Sequence, residues 1–204
     1  IIDLARACQA LRPEGIWWFY REDGKPSFKL EDIAKANGIE MSNAHDALCD
    51  VEATIGIAKL IKNAQPEIYK FAFSLRNKNV VNAIINDSKN EKKPFVFVSS
   101  TIGSAFSNIA LVFPLFKNPR NNNELFTFDL KINPENLLSI SPEEFSKYIY
   151  FEKNEPREKE DIGIRTVKIN HAPFICDYSV IDQKIAANLN INLKKIKANL
   201  NTII

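Results

Sequence analysis

The segment Ser42-Asn43-Ala44-His45-Asp46-Ala47-Leu48-Cys49-Asp50 opens the strongest helical pattern of the chain. The pattern covers residues 44–64, and Pro66 follows its end. Asn43 is a good N-cap, and Asp46 then falls at the third helical position, as in a capping box. The apolar positions recur at helical spacing and predict one buried stripe, made of Ala47, Leu48, Val51, Ile55, Ala58 and Ile61.

Two side chains at the start of this helix suit hydrolytic chemistry. His45 lies in the first turn, where the positive end of the helix dipole disfavours imidazolium and leaves a neutral ring that can take a proton. Asp50 lies about 140° further around the helix, so the two groups address different parts of one cavity. A histidine that deprotonates water and a carboxylate that binds Mg²⁺ fit this geometry. A structural surface helix is the alternative interpretation, with Asp46 as its cap.

The chain changes character near residue 87. Before it, the sequence predicts helices at residues 1–11, 30–37 (closed by Gly38), 67–76 and 79–85. The polar segment 87–94 is predicted to break the helical pattern. After it, the sequence predicts strands at residues 95–99, 109–116, 125–130, 164–170 and 174–176, with a turn at 118–123. Further helices are predicted at residues 142–150, capped by Ser141, and at 181–189 and 193–200. The fold class predicted is α+β.

The composition predicts a soluble, cytoplasmic protein. The chain has 204 residues, 45% of them apolar, and a formal net charge of +2. No apolar stretch approaches the roughly 20 residues of a membrane span, and no secretory signal opens the chain, so no membrane partner is expected. Two of the three cysteines lie in apolar helical patterns, which is typical of buried free thiols rather than zinc or disulfide sites. Because the chain opens at Ile1 within a helical pattern, we expect it to be a fragment.

The aromatic run Trp17-Trp18-Phe19-Tyr20 has two interpretations. Aromatic side chains can stack on the bases of a single strand without sequence preference. Alternatively, the run packs against the core and leaves one ring exposed.

Several segments together resemble the bacterial exodeoxyribonuclease I family of DEDDh 3′→5′ exonucleases. They are Arg6-Ala7-Cys8, Ala10-Leu11-Arg12-Pro13-Glu14-Gly15-Ile16, Pro26-Ser27-Phe28, Lys35-Ala36-Asn37-Gly38-Ile39-Glu40, Ser42-Asn43-Ala44-His45-Asp46-Ala47 and Arg76-Asn77-Lys78. The similarity is close over residues 1–87 and thinner beyond them. The resemblance implies the helical C-terminal part of a ribonuclease H-like exonuclease domain at residues 1–66. It also implies a β-rich SH3-like domain at 67–192 and the start of a helical domain at 193–204.

The resemblance also implies a role for individual residues. His45 matches the general base of the family, and Asp50 matches its last metal-binding carboxylate. Three basic residues match contacts to single-stranded DNA, namely Lys29, Arg6 and Lys78. Arg12 and Phe71 match positions near the docking site for the acidic C-terminal tail of single-stranded-DNA-binding protein.

The chain departs from the family pattern in its carboxylates. The family has an Asp-x-Glu and a further Asp that are absent here, which leaves one metal ligand of four. Two Mg²⁺ ions about 3.5–4 Å apart need the full set, so we expect this fragment to be inactive alone. The resemblance implies a monomeric parent that degrades single-stranded DNA to mononucleotides in DNA repair and recombination by two-metal hydrolysis. The alternative is a non-catalytic binding module for single-stranded DNA and single-stranded-DNA-binding protein.

Overall fold

The computed structural model describes residues 1–40, 47–104, 107–150 and 161–204. Helices make up most of the first half of the described chain. Their bounds are α1 (Ile2–Leu11), α2 (Leu30–Ala36), α3 (Ala47–Ala64), α4 (Pro66–Ser74) and α5 (Lys78–Asn90). None of the helices in the described ranges combines the length and apolar character that a bilayer crossing demands.

Local signals explain where several of these helices begin and end. Gly38 follows the end of α2 at φ +66°, a left-handed conformation that glycine adopts without a steric cost. Pro66 opens α4, where its missing N–H is not needed. The Asn77 side chain accepts a hydrogen bond from the Asn79 N–H and caps α5. The end of α2 and the starts of α4 and α5 lie within one residue of the sequence-based predictions.

An antiparallel sheet dominates the second half. Among the described residues it has five strands, β1 (Phe95–Val98), β2 (Ile109–Asn118), β3 (Asn121–Asp129), β4 (Ile164–Lys168) and β5 (Phe174–Asp177), in the order β4-β3-β2-β1-β5. Phe95 of β1 lies opposite Val112 of β2 on one side and Asp177 of β5 on the other. The remaining helices are α6 (Glu135–Leu138), α7 (Pro142–Ile149), α8 (Gln183–Asn188) and α9 (Leu193–Ile203). Ser141 and Glu144 form the capping box of α7.

One apolar core joins the two halves. Helices α1 and α5 pack against β1 and β5, and α5 also contacts β2. The same cluster of buried side chains runs from Leu4 in α1 through Phe95 in β1 to Leu200 in α9. Each fully buried large apolar side chain contributes about 1.5–3 kcal/mol to folding. Asn199 fixes α9 by donating hydrogen bonds to the Leu130 and Ile132 carbonyls, both at 2.9 Å.

This architecture confirms the predicted α+β class. The predicted domain boundaries stay predictions: the one after residue 66 falls in the first turn of α4, and residue 193 is the first of α9. The charged sequence of residues 152–161 predicts a loop, and residues 152–160 of it lie outside the described residues.

The predicted apolar stripe of α3 was wrong at most of its positions, although Ile61 is buried as predicted. The buried residues of α3 are Cys49, Ala53, Ile57 and Ile61. Of the predicted stripe, Leu48, Val51 and Ile55 are about half exposed or more, and at about 100° per residue they lie on the other side of the helix. Because α3 carries apolar residues on both sides, periodicity alone could not select the buried one. The segment after α2 packs closely against α3, since a Cβ on Gly56 would lie 2.9 Å from Ile39 Cγ2.

The predicted helix break at residues 87–94 was also wrong over its first half. Helix α5 continues to Asn90. Ser88 explains this, because its side chain is buried and donates a 2.6 Å hydrogen bond to the Lys93 carbonyl. The turn predicted at residues 118–123 is tighter than expected, with Pro119 and Arg120 joining β2 to β3.

Candidate functional site

Helix α3 carries the predicted catalytic pair near its start. Asp50 lies in the first described turn of the helix and is half-buried. His45 belongs to residues 41–46, which lie outside the described residues together with the predicted cap residues Asn43 and Asp46. The structure therefore places one member of the pair, and the general-base role of His45 stays a prediction.

The surroundings of Asp50 bear on its predicted role as a metal ligand. Within residues 1–40, 47–104, 107–150 and 161–204, no group of three or more His, Cys, Asp or Glu side chains could hold a metal ion. The neighbouring Leu48 and Val51 are apolar and exposed. Two-metal hydrolysis needs several carboxylates around two ions. The described part of the chain does not fit a pair of Mg²⁺ ions by itself.

Arg6 joins helix α1 to the segment that leads into α2. Its guanidinium pairs with Asp3 at 2.6 Å and lies 5.5 Å from the centre of the Phe28 ring. The Arg6 side chain is 14% exposed. It therefore holds Phe28 in place and presents only a small part of its charge to solvent.

Lys29 follows Phe28 directly and is the N-cap residue of α2. Its side chain is 72% exposed, and its Nζ lies 3.9 Å from a Glu31 carboxylate oxygen. An exposed ion pair of this kind contributes little stability, so Lys29 can turn towards a phosphate at small cost. Arg6, Phe28 and Lys29 thus form one connected group.

Lys78 belongs to a different set of contacts. It is the first residue of α5, and its Nζ donates a 2.9 Å hydrogen bond to Asn123 Oδ1 on β3. The bond joins the start of α5 to the β2–β3 hairpin and leaves Lys78 on the surface.

Arg12 and Phe71 line one surface groove of about 340 Å³. The Phe71 ring meets the Phe174 ring edge to face, with the ring centres 6.0 Å apart. Arg12 lies at the end of α1, where its Nη1 donates a 2.6 Å hydrogen bond to the Leu11 carbonyl. The groove is formed by Leu11, Arg12, Gln65, Glu67, Ile68, Phe71, Phe174, Cys176, Asp177 and Val180. We call this set the Arg12–Phe71 groove.

Two carboxylates accompany Arg12 at this groove. Glu67 is exposed. The Asp177 carboxylate forms an ion pair with Lys93, whose Nζ lies 2.8 Å from it. The same Nζ also lies 2.8 Å from a Glu91 carboxylate oxygen. Burial alone would raise the pKa of the Asp177 carboxyl, but hydrogen bonds from Lys93 and Ser179 outweigh it and lower the pKa to about 2. Asp177 is therefore ionised at every ordinary pH.

The groove also contains a cysteine, Cys176, whose thiol is unreactive. Burial foremost raises the pKa of the Cys176 thiol to about 12, so it stays protonated. Cys8 and Cys49 are likewise buried, as the sequence predicts for its helical cysteines.

The β-rich half of the chain matches a known sequence profile. The profile of the exonuclease I SH3-like domain matches residues 76–204, well over half of the chain. The chain belongs to the exonuclease I family. This match confirms the predicted family and the SH3-like character of the second half.

Relatives and solved structures agree with this membership of the exonuclease I family. Exodeoxyribonuclease I of Haemophilus influenzae is 39% identical over 97% of this chain and 43% of the relative. The crystal structure of Escherichia coli exonuclease I with a dA16 oligonucleotide has a TM-score of 0.89 at 38% identity, over 99% of this chain and 43% of that one. The structure of SSB/exonuclease I with inhibitor CFAM has a TM-score of 0.86 at 36% identity, over 99% of this chain and 42% of that one. The chain thus spans less than half the length of these family members.

The structure groups some of the predicted exonuclease I site residues and separates others. Arg6 contacts Phe28, which directly precedes Lys29, and Arg12 and Phe71 share one groove. Lys78 lies in a separate set of contacts.

Sequence reasoning missed the Asp177–Lys93 pair at the groove. No local pattern predicts it, because the two residues are far apart in sequence and meet only through the pairing of β1 with β5. The register of these strands, which places Phe95 opposite Asp177, is the signal that would have found it.

Proposed function

We propose that this chain serves in a 3′→5′ exodeoxyribonuclease that degrades single-stranded DNA to mononucleotides during DNA repair and recombination. The observation that most supports this is the similarity over 99% of the chain to E. coli exonuclease I with a dA16 oligonucleotide. Because the chain spans 43% of that protein, the activity is proposed for the whole protein. The proposal includes a monomeric protein of the cytoplasm.

In this proposal the start of α3 supplies part of the active site. His45 deprotonates the attacking water, and Asp50 is one ligand of the two Mg²⁺ ions expected in a complete site. Since the described residues do not complete the ligand set, we propose that the chain is inactive alone.

The exposed cations contact the DNA backbone. Lys29 has the exposure and the weak partner that a phosphate contact needs. Arg6 supports Lys29 through Phe28. Lys78 would have to exchange its hydrogen bond with Asn123 for a phosphate oxygen.

Nucleotide release from labelled single-stranded DNA tests the catalytic part. In the whole protein, His45→Ala should lower the rate by about 10²–10⁴-fold, as expected for loss of a general base. Glu52→Gln, an exposed change in the same helix, is the matched control. A wild-type rate in His45→Ala would remove the general-base role. Mg²⁺-dependent release by the isolated 204-residue chain would contradict its proposed inactivity.

A second function, binding without chemistry, is favoured by the Arg12–Phe71 groove. Most residues that line the groove are apolar, and Arg12 adds a positive charge, which suits a peptide that has both apolar and acidic groups. SSB is present in one of the similar structures. We therefore propose that the groove binds the acidic C-terminal tail of single-stranded-DNA-binding protein.

Fluorescence anisotropy with a labelled peptide of that tail tests the groove. Arg12→Ala should weaken binding by roughly tenfold or more, because it removes a charge-assisted contact of about 1.5–3 kcal/mol. Lys70→Ala, an exposed lysine on α4 outside the groove lining, should bind like the wild type. Equal affinities for all three proteins would place the tail elsewhere.

A further inference from the structure

Three aromatic rings lie exposed on one loop of the chain. Trp17 is 78% exposed, Tyr20 is 53% exposed and Phe19 is 47% exposed. Isolated exposed apolar residues are normal on a protein surface, but large rings grouped together mark an interaction site. The fourth ring of the run, Trp18, is half-buried.

The loop is a rigid hairpin rather than an open coil. The Ser27 N–H donates to the Phe19 carbonyl at 2.8 Å, and the Arg21 N–H donates to the Lys25 carbonyl at 2.9 Å. Gly24 makes the turn at φ +73°. We call residues 17–28 the aromatic hairpin.

Helix α2 fixes the base of the aromatic hairpin at Trp17. Asn37, the C-cap residue of α2, accepts a hydrogen bond from the Trp17 N–H at 2.9 Å and donates to the Trp17 carbonyl at 2.8 Å. Both bonds use the Trp17 backbone, so they hold the backbone of the hairpin base while the indole ring stays exposed. Ordering of the backbone before binding reduces the conformational entropy that is lost when a ligand binds.

The aromatic hairpin is continuous with the proposed DNA contacts. Trp18 packs edge to face on Phe28 at 6.2 Å and donates a hydrogen bond to the Pro13 carbonyl at 3.1 Å. Phe28 lies under the Arg6 guanidinium and directly precedes Lys29. The packed rings Trp18 and Phe28 therefore connect the aromatic hairpin to Arg6 and to the segment that carries Lys29.

The charges of the aromatic hairpin and of the adjacent Lys29 weakly favour the binding of an anionic polymer. Residues 17–29 contain three cations, Arg21, Lys25 and Lys29, against the carboxylates Glu22 and Asp23. Arg21 and Lys25 pair with Asp23 at 3.3 and 3.7 Å, with all three side chains 40–48% exposed. Such exposed pairs contribute little stability and can exchange for phosphates. Affinity at this surface must come mainly from the rings.

We propose that the aromatic hairpin is a base-stacking platform for single-stranded DNA, with Trp17 as the principal ring. This inference rests on the proposed function and names a part of the strand-binding surface that it does not include. Aromatic stacking accepts any base, because every base has a π-face. The platform engages a base next to the nucleotides whose phosphates contact Lys29.

Tryptophan fluorescence gives a direct test, since the chain has only two tryptophans. In Trp18→Phe, Trp17 is the sole fluorophore, and adding a dA16 oligonucleotide without divalent metal should quench it. In Trp17→Phe, the sole fluorophore is the packed Trp18, and quenching should be much weaker. An abasic strand of the same length should leave the Trp17 signal unchanged, because it has phosphates but no bases.

Affinity measurements complete the test. Trp17→Ala should weaken dA16 binding by roughly tenfold, the stacking contribution of one base, and Trp17→Phe should recover most of the loss. The dependence of the dA16 binding constant on salt concentration should be the same in Trp17→Ala as in the wild type. It should be shallower in Lys29→Ala, which loses a phosphate contact. Phe73→Leu, a change of another ring that is 60% exposed, is the control and should bind normally.

The outcomes separate this inference from the proposed function. If the wild-type chain binds dA16 and Lys29→Ala weakens it while Trp17→Ala does not, the stacking platform is wrong and the strand contact by Lys29 stands. If the chain does not bind dA16 at all, the stacking platform and the proposed contact of Lys29 with the strand both fail. Quenching of Trp17 by the acidic tail peptide but not by dA16 would make the aromatic hairpin a protein-binding surface and overturn the inference.

Discussion

At the scale of single residues, the most buried charges lie between β3 and β4. Arg165, 10% exposed, pairs with Asp129 at 3.1 Å and with Asp161 at 2.6 Å. Burial foremost raises the pKa of Asp129, although the Arg165 charge opposes it. For Asp161, hydrogen bonds from Arg165 and Gly163 outweigh burial and lower the pKa. Arg165 is thus the shared partner of two carboxylates in different environments.

Removing this partner should destabilise the chain in a pH-dependent way. Arg165→Met should lower the free energy of unfolding by about 3–5 kcal/mol near neutral pH, because the charge of Asp129 stays buried without its main partner. The loss of Arg165 raises the pKa of Asp129 further. When a carboxyl has a higher pKa in the folded than in the unfolded state, the folded protein becomes less stable as the pH increases. The free energies of unfolding of the variant and the wild type, measured in urea, should therefore differ less near pH 4, the pKa of Asp in the unfolded state (about 4), than near neutral pH.

The double variant Asp129→Asn/Arg165→Met is the control for this effect. It removes the orphaned charge and should recover part of the lost stability. An equal loss at both pH values, with no recovery in the double variant, would show that Arg165 acts through packing rather than charge.

A second residue-scale prediction concerns the Arg12–Phe71 groove. Asp177→Asn removes a carboxylate from the groove lining and releases Lys93, so the acidic tail peptide should bind several-fold more tightly. Glu91→Gln is the matched control, since Glu91 also pairs with Lys93 but does not line the groove. Peptide titrations should show a larger gain for Asp177→Asn than for Glu91→Gln. A weaker complex in Asp177→Asn would mean that Asp177 itself holds the ligand.

At the scale of elements, α3 has two apolar sides with different environments. Cys49, Ala53 and Ile57 are buried, whereas Val51 and Ile55 are 55% and 49% exposed. A helix that is apolar on both sides is typical of an element packed between two layers. The described residues cover only one of its sides.

Substitutions on the two sides of α3 should therefore behave differently. Ile57→Ala should lower the free energy of unfolding by about 2–5 kcal/mol, as is usual for a buried isoleucine. The double variant Val51→Gln/Ile55→Gln should change it by less than about 1 kcal/mol and reduce self-association. Urea unfolding and light scattering measure the two effects. Equal destabilisation by both variants would show that the second side is covered in solution.

At the scale of the whole molecule, the apolar core does not stop at the predicted domain boundary. Buried side chains of α1, of the sheet and of α9 belong to the same cluster. A continuous core makes the unfolding of one part expose the other. The two halves that differ in sequence texture are therefore packed as one unit.

We accordingly predict a single cooperative unfolding transition. Near-ultraviolet and far-ultraviolet circular dichroism should give the same midpoint in urea. Phe95→Ala, which changes a side chain 1% exposed, should shift both signals together and cost about 3–5 kcal/mol. Two separated transitions would show that residues 1–66 unfold independently of the sheet.

How much of this fold could be predicted depends on the range of each signal. The cap at Ser141, the glycine after α2 and the apolar runs of the strands act over a few residues, and the structure confirms them. Which side of α3 is buried depends on how neighbouring segments pack, such as the close approach of Ile39 to Gly56. The helical periodicity of the sequence does not predict this packing. The extension of α5 depends on the burial of Ser88, a polar residue that the sequence marks as a break.

In the candidate site, too, short sequence patterns are predictable, whereas contacts between distant segments are not. The resemblance supplied Arg12 and Phe71, and the structure groups them, but residue patterns alone predict no groove there. Asp177 and Lys93 became visible only through strand pairing. The aromatic run was recognisable in the sequence, but its exposure depends on the Asn37 bonds to the Trp17 backbone.

The strand order also has a consequence for how amide protons exchange with solvent. β1 has a neighbour on each side, and all four of its residues are buried. β4 and β5 each have a free edge among the described residues. Amides that open only when the whole sheet dissociates exchange at the rate of global unfolding, and amides at an edge exchange by local fraying. In heavy water, the protons of Val96 and Val98 should therefore be among the last to be replaced by deuterium, well after those of β4.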